Sequence, residues 1–166
     1  MTEEEFRVFV AARGAALRRT GYLLTGDWQL GEDLTQSALV ATWRRIDRLR
    51  ETVAVEAYVR TAMTRTYLSW RRTRRFTEIP TDRPDTNPAY DPTDSRTERD
   101  RVWTALHALP STQRAALVLR YYEDLPIETI AGVLDTRPGT IKSHLSRGLA
   151  ALRRTLAADQ AKEAHD

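Results

Sequence analysis

Between Arg137 and Arg147 the sequence sets Gly139, Thr140, Lys142, Ser143 and His144 around the apolar pair Ile141 and Leu145. If the apolar pair faces inward, short hydroxyls and cations are left for a partner. Short polar side chains suit base edges in a major groove, while Lys and Arg supply phosphate or guanine contacts. Pro138-Gly139 keeps the entry slim, so free N–H groups of the first turn can approach a DNA backbone. A second stretch holds Arg60, Arg65, Arg71, Arg72, Arg74 and Arg75, six arginines in 16 residues, interleaved with Tyr67 and Trp70. Phosphate neutralisation releases counterions and carries no sequence information. Aromatic rings add stacking on unpaired bases, worth about 1–3 kcal/mol per base. Cations and aromatics together therefore favour melting or single-stranded DNA, although Trp70 also continues an apolar stripe and is more simply placed in a core. A third stretch, Glu32-Asp33-Leu34-Thr35-Gln36 with Trp43-Arg44-Arg45, mixes polar groups and an aromatic as protein interfaces do; on spacing alone a solvated helix fits it better. The three histidines, His107, His144 and His165, are scattered, there is no cysteine, and no glycine-rich loop follows a strand. Nothing here supports a catalytic centre, a metal site or a cofactor.

Helices are the elements that must position these residues, and the expected fold class is all-α. Thr2-Glu3-Glu4-Glu5 reads as a capping box, followed by Phe6, Phe9, Val10 and Leu17 at helical spacing. Gly26-Asp27 breaks the chain. A second helix carries Leu30, Leu34, Ala38, Ala41, Ile46 and Leu49. A third, roughly 53–75, turns Val55, Tyr58, Val59, Ala62, Met63, Thr66 and Trp70 to one side. At 100° per residue Arg60, Arg71, Arg74 and Arg75 project opposite, with Arg65 and Arg72 flanking. Ser95-Arg96-Thr97-Glu98 is another capping box, opening a helix with Val102, Ala105, Leu106 and Leu109 inward. Pro110 stops that helix, and Ser111 can cap the next, which runs through Ala116, Leu119 and Tyr122. Pro126 to Leu134 forms a short helix, Asp135-Thr136-Arg137 a tight turn, and Pro138 opens the last helix, with Ile141, Leu145, Leu149 and Leu152 inward. Two helices joined by so tight a turn predict a helix-turn-helix. A small bundle with a polar-faced last helix fits the same periodicity; the turn and the Gly-Thr-x-Lys-Ser start favour DNA binding.

Charge divides the chain as the helices do. Of 166 residues, 26 are basic and 23 acidic, and only Lys142 and Lys162 of the basic ones are lysine. Residues 44–75 hold 10 basic and 3 acidic residues, whereas 76–100 hold 3 and 7, interrupted by Pro80, Pro84, Pro88 and Pro92. Proline at that density excludes a helix. The domains are therefore 1–75 and 96–160, with an acidic, Pro-rich linker over 76–95. No run approaches 18 apolar residues, and the N-terminus lacks the charged-then-apolar order of a leader, so a cytoplasmic protein without membrane insertion is expected.

These motifs, in this order, resemble those of bacterial extracytoplasmic-function RNA polymerase sigma factors of the actinobacterial SigE type. Gly31-Glu32-Asp33-Leu34-Thr35-Gln36 through Thr42-Trp43-Arg44-Arg45 is similar to the family's polymerase-docking helix. The resemblance implies that Asp33, Leu34, Gln36, Trp43 and Arg44 contact core polymerase. Ala57-Tyr58-Val59-Arg60 and Ser69-Trp70-Arg71-Arg72 are similar to the segment that reads and opens the −10 element. That places Arg60, Arg65, Tyr67, Ser69, Trp70, Arg71, Arg72, Arg74 and Arg75 at the melted strand. Leu109-Pro110-Ser111-Thr112-Gln113-Arg114 and Leu119 to Leu125 open the second domain as in the family, and Gly139 to Arg147 resembles its −35 helix. Arg137, Gly139, Thr140, Lys142, Ser143, His144 and Arg147 are thereby implied at the −35 duplex. The sequence departs from the family pattern at Arg65, where relatives often carry Asn, at Arg137, which replaces a hydroxyl cap, and at His144, where Arg is frequent.

The implied protein is a non-enzymatic subunit, nucleoid-associated, that partners core RNA polymerase and promoter DNA, with an anti-sigma factor as a further partner the family admits. No cofactor and no small-molecule substrate are expected. Two other readings stand beside it: an autonomous dimeric helix-turn-helix regulator that needs no polymerase, and an adaptor that binds only protein.

Overall fold

A computed structural model describes residues 1–73 and 96–165. The expected linker, Arg74, Arg75 and the cap expected at Ser95 lie outside them. Among the described residues every regular element is helical. The chain separates into two compact units, Met1–Asp85 and Thr86–Asp166.

The first unit is built from α1 (Glu3–Thr25), α2 (Trp28–Trp43) and α3 (Thr52–Arg72), each packed on the other two. The capping box forms: Glu5 N–H donates to Thr2 Oγ1 and Thr2 N–H to the Glu5 carboxylate. Gly26, at φ 79°, closes α1 by donating to Tyr22 O, and Asp27 Oδ1 then accepts from Leu30 N–H at 2.9 Å to start α2. Where α1 and α2 cross, backbone meets backbone. A Cβ on Gly21 would sit 2.6 Å from Gly31 O, and one on Gly31 would sit 2.7 Å from Tyr22 N. Only glycine allows that approach, and it brings Leu17, Leu24, Leu34 and Ala38 into one core with Val55, Val59 and Met63 of α3.

Helix α2 ends sooner than the sequence suggests. Ile46, expected on its extension, is buried instead from a single 3-10 turn, Ile46–Arg48, which re-aims the chain before α3 begins at Thr52. Apolar periodicity continues across this break, so it does not reveal it.

In the second unit α4 (Arg96–His107), α5 (Ser111–Leu117) and α6 (Ile127–Val133) each pack against α7 (Pro138–Glu163). Arg114, 2% exposed, donates to Leu106 O at 3.1 Å, to Leu109 O at 3.3 Å and to His107 O. A fixed cation there binds carbonyls at and just past the end of α4, sharing Leu106 O with Leu109 N–H. Ser111 does not cap α5: Pro110 holds the cap position, and Ser111 is the first helical residue. Past Leu117 the chain loosens into one π-turn, Val118–Tyr122, where the sequence suggests continuous α-helix. Asp124, at φ 54°, then turns toward α6.

The turn between α6 and α7 is a Schellman closure. Thr136 N–H donates to Ala131 O at 3.0 Å and Asp135 N–H to Gly132 O at 3.4 Å, with Asp135 at φ 52°. Proline at the first position of α7 and no side-chain cap from Arg137 match the sequence reading. Gly148 seats α7 on Leu117, whose Cδ1 would lie 2.9 Å from an added Cβ. Helix α7 runs on to Glu163, which pairs with Arg101 of α4.

Two alanine substitutions in the first unit should act in opposite directions. Gly31→Ala collides with backbone that cannot yield, and should lower stability in urea melts by about 1–3 kcal/mol. At Gly14, mid-α1, a Cβ meets nothing, and Gly14→Ala should raise stability by about 0.5–1 kcal/mol.

Candidate functional site

On α7 the partition between core and surface is clean. Ile141, Leu145 and Gly148 are buried, while Arg137, Gly139, Thr140, Lys142, Ser143, Ser146 and Arg147 are exposed. Ser143 Oγ donates to Gly139 O at 3.2 Å, a bond that rotation of the hydroxyl can exchange for a partner. The α6 turn fixes the start of this helix, so the hydroxyls and cations are presented together on a short outward face. His144 lies at its edge, half-buried, with Nδ1 enclosed and unbonded. Desolvation of the ring, and then the nearby Arg147 charge, hold its pKa below the ordinary histidine value. The imidazole is therefore neutral at neutral pH.

Helix α3 divides differently from the sequence reading. Its buried stripe is Val55, Val59, Met63 and Tyr67, four residues apart each time. Tyr67 is fully enclosed, so it belongs to the core and has no face to offer a base. The rotation of the stripe turns Arg65 and Arg72 fully outward and leaves Ser69, Trp70 and Arg71 half-exposed. Arg60, expected on the cationic face, is instead drawn toward Glu56 at 3.8 Å with only 16% of its side chain exposed, and Glu56 also receives Arg13 of α1. Both stripes, 55-59-63-67 and 58-62-66-70, fit helical spacing. Val55, Val59 and Met63 are buried as the sequence reading has them, and Tyr67 rather than Trp70 completes the stripe; Thr64 is buried beside it, its hydroxyl donating to Arg60 O at 2.9 Å.

Along α2, Asp33, Gln36, Val40 and Trp43 recur at helical spacing and are all exposed, as is Arg44. Leu34 is fully buried and cannot belong to a surface contact; it anchors the helix from behind. Trp43 is split between roles, its ring packed on Phe6 with centroids 5.2 Å apart while 39% of the residue stays exposed. Val40, absent from the sequence-based candidates, lies exposed on the same face between Gln36 and Trp43. Arg18 and Glu32 approach to 3.6 Å beside this ridge. Among the described residues no group of His, Asp and Glu could hold a metal, and no helix is long and apolar enough to cross a membrane.

The depressed His144 pKa has a consequence for stability. Above the ordinary value near 6.5 both folded and unfolded forms are neutral and the fold is at full strength. As pH falls below it, the unfolded chain takes the proton first and stability is lost. Urea melts at pH about 7.5 and about 5.5 should show wild type losing more stability than His144→Gln, which carries no titrating group there.

Comparison with known proteins places both units. Residues 9–77 match Sigma-70 region 2, and residues 99–152 match Sigma-70, region 4. The RNA polymerase sigma-E factor of Streptomyces coelicolor is 35% identical over 154 residues, covering 93% of this chain and 87% of that protein. The ECF RNA polymerase sigma factor SigL of Mycobacterium tuberculosis is 30% identical over 155 residues, covering 90% and 88%. Among solved structures, the sigma factor RpoE of Bartonella quintana, in complex with the anti-sigma factor NepR, superposes with a TM-score of 0.73 at 25% identity, covering 94% of this chain and 99% of that one. With both regions in order and such relatives spanning nearly its whole length, the chain belongs to the extracytoplasmic-function RNA polymerase sigma factors.

Proposed function

We propose that the protein directs core RNA polymerase to promoters by dividing three contacts among three helices, with no catalysis of its own. The ridge Asp33, Gln36, Val40 and Trp43, with Arg44 at its end, docks on the polymerase. The outer face of α3, with Arg65, Ser69, Trp70, Arg71 and Arg72, engages the −10 strand as it melts; Arg74 and Arg75, which follow in the sequence outside the described residues, are assigned to the same strand. The α7 face, Arg137 to Arg147, reads −35 duplex. The observation that carries the reading is the pairing of two chemically different DNA-facing surfaces on two separate units. The α3 face is cationic with a half-exposed tryptophan, suited to phosphates and unstacked bases. The α7 face sets the hydroxyls of Thr140, Ser143 and Ser146 among Arg137, Lys142 and Arg147, suited to base edges flanked by phosphates. Action in the cytoplasm at the nucleoid follows from these partners. The sigma factor RpoE neighbour was solved with the anti-sigma factor NepR, which supports control of this chain by an anti-sigma factor as well.

The α3 and α2 assignments separate experimentally. Arg71→Ala with Arg72→Ala should slow open-complex formation, leave core binding intact and flatten the salt dependence of strand capture by about 1.4 in log–log slope. Asp33→Ala with Gln36→Ala should do the converse, weakening core binding by about tenfold while the thermal melt stays unchanged, since both side chains are exposed. Trp43→Ala is a poorer probe because it also removes the Phe6 contact. Loss of core binding in the arginine double variant contradicts the division of roles.

A further inference from the structure

Gly14 and Gly21 stand seven residues apart on α1, close to two turns, and so share a face. At Gly21 that face is pressed on α2, where an added Cβ would lie 2.6 Å from Gly31 O. At Gly14 an added Cβ would meet nothing within 4 Å. The helix crossing therefore accounts for Gly21 and leaves Gly14 without a reason inside the chain, although glycine in a helix interior weakens the helix relative to alanine.

Beside Gly14 lies a hollow of about 300 Å³ between α1 and α2. Val10, Ala11, Gly14 and Ala15 line it from α1 and Leu39 from α2, so its walls are apolar and mostly small. Toward the glycine crossing its rim is polar, and the rim groups bind one another. Arg18 Nε lies 3.6 Å from Glu32 Oε2, and Gln36 Nε2 donates to Glu32 Oε1 at 3.1 Å. With the rim groups paired, the hollow favours an apolar occupant over a charged one. Ala11 and Ala15 are exposed, so the hollow opens to solvent. Small-molecule sites begin at about 300 Å³ and enclose most of their ligand, so an open hollow of this size suits a side chain projecting from a partner.

The hollow continues the ridge on α2. Gln36 belongs to both, and Leu39 of the hollow is followed by Val40 of the ridge. A partner laid along Asp33, Gln36, Val40 and Trp43 therefore reaches the hollow as well. We infer that the hollow is a socket for one apolar side chain of core RNA polymerase, and that Gly14 is a specificity-determining residue that keeps the socket open. This rests on the reading of the α2 ridge as the polymerase-docking surface. It adds α1 to that surface, and it sets binding against stability at one position, because the residue that strengthens the helix also fills the socket.

The test is equilibrium binding of the full chain to purified core polymerase, paired with a thermal melt of each variant. Gly14→Ala should melt at a higher temperature than wild type yet bind core about threefold more weakly. Gly14→Leu, which fills the hollow, should bind about tenfold more weakly or worse without melting lower. Ala12→Leu, exposed and outside the hollow, should bind as wild type does. Asp33→Ala with Arg44→Ala, both on the ridge and outside the hollow, reports on the docking surface independently. If that double variant is weakened while Gly14→Leu binds as wild type does, the socket is overturned and the ridge stands. If Gly14→Ala loses binding and stability together, its role is structural and the inference also fails. Wild-type binding by both the ridge variant and Gly14→Leu is a different failure, that of the ridge reading itself.

Discussion

A helix has one circumference to divide between the core that holds it and the partner it meets, and both units of this protein are governed by that division. Helix α7 buries Ile141, Leu145 and Gly148 and thereby has Thr140, Lys142, Ser143 and Arg147 outside. Helix α3 buries a stripe from Val55 to Tyr67 and turns Arg65 and Arg72 out. Helix α2 is pulled inward at Leu34 and Ala38, and the glycine crossing with α1 sets its depth. Each of the three proposed contact faces lies on a helix. Each is the reverse side of a packed stripe, so a shift of packing by one residue rotates the functional surface by 100°.

The two surfaces proposed to face DNA would meet different physical problems. Melted DNA has no regular groove to read, so charge and a stackable ring are useful there, and the outer face of α3 carries both. Duplex DNA at −35 must be read at base edges while orientation is fixed at the phosphates. Small side chains at the start of α7 allow close approach, and the Schellman turn with Asp135 in the left-handed region holds that start at a defined angle to α6. Arg114 does comparable work further back. By binding the last carbonyls of α4 it joins the first helix of the unit to the second, beside the buried Leu106 and Ala115.

Much of this was legible in the sequence because it is encoded locally. The capping box at Thr2–Glu5, the break at Gly26-Asp27, the tight turn before Pro138 and the inward pair Ile141 and Leu145 are all signalled within a few residues. The all-α class and the two-unit division follow from apolar periodicity and proline placement. What was not legible depends on tertiary choices. Tyr67 and Trp70 sit on overlapping stripes of α3, and only packing selects Tyr67 for the core. Leu34 belongs to a motif whose residues alternate between core and surface, so motif membership alone could not separate it from Asp33 and Gln36. Arg60 is a cation like its neighbours until Glu56, one turn away, is brought beside it, a carboxylate that Arg13 of another helix also binds. The π-turn at Val118–Tyr122 has no sequence signature, because its residues would serve equally well in a continuing α-helix.

The central claim is that the two units locate a gene's start only as part of polymerase. Run-off transcription on fragmented genomic DNA tests it most directly, with purified core enzyme in the presence and absence of the full chain, alongside footprinting by the chain alone. The account predicts discrete transcripts and a footprint over both promoter elements only when chain and core are combined. A specific footprint from the chain alone, or no discrete start site when both are present, contradicts it.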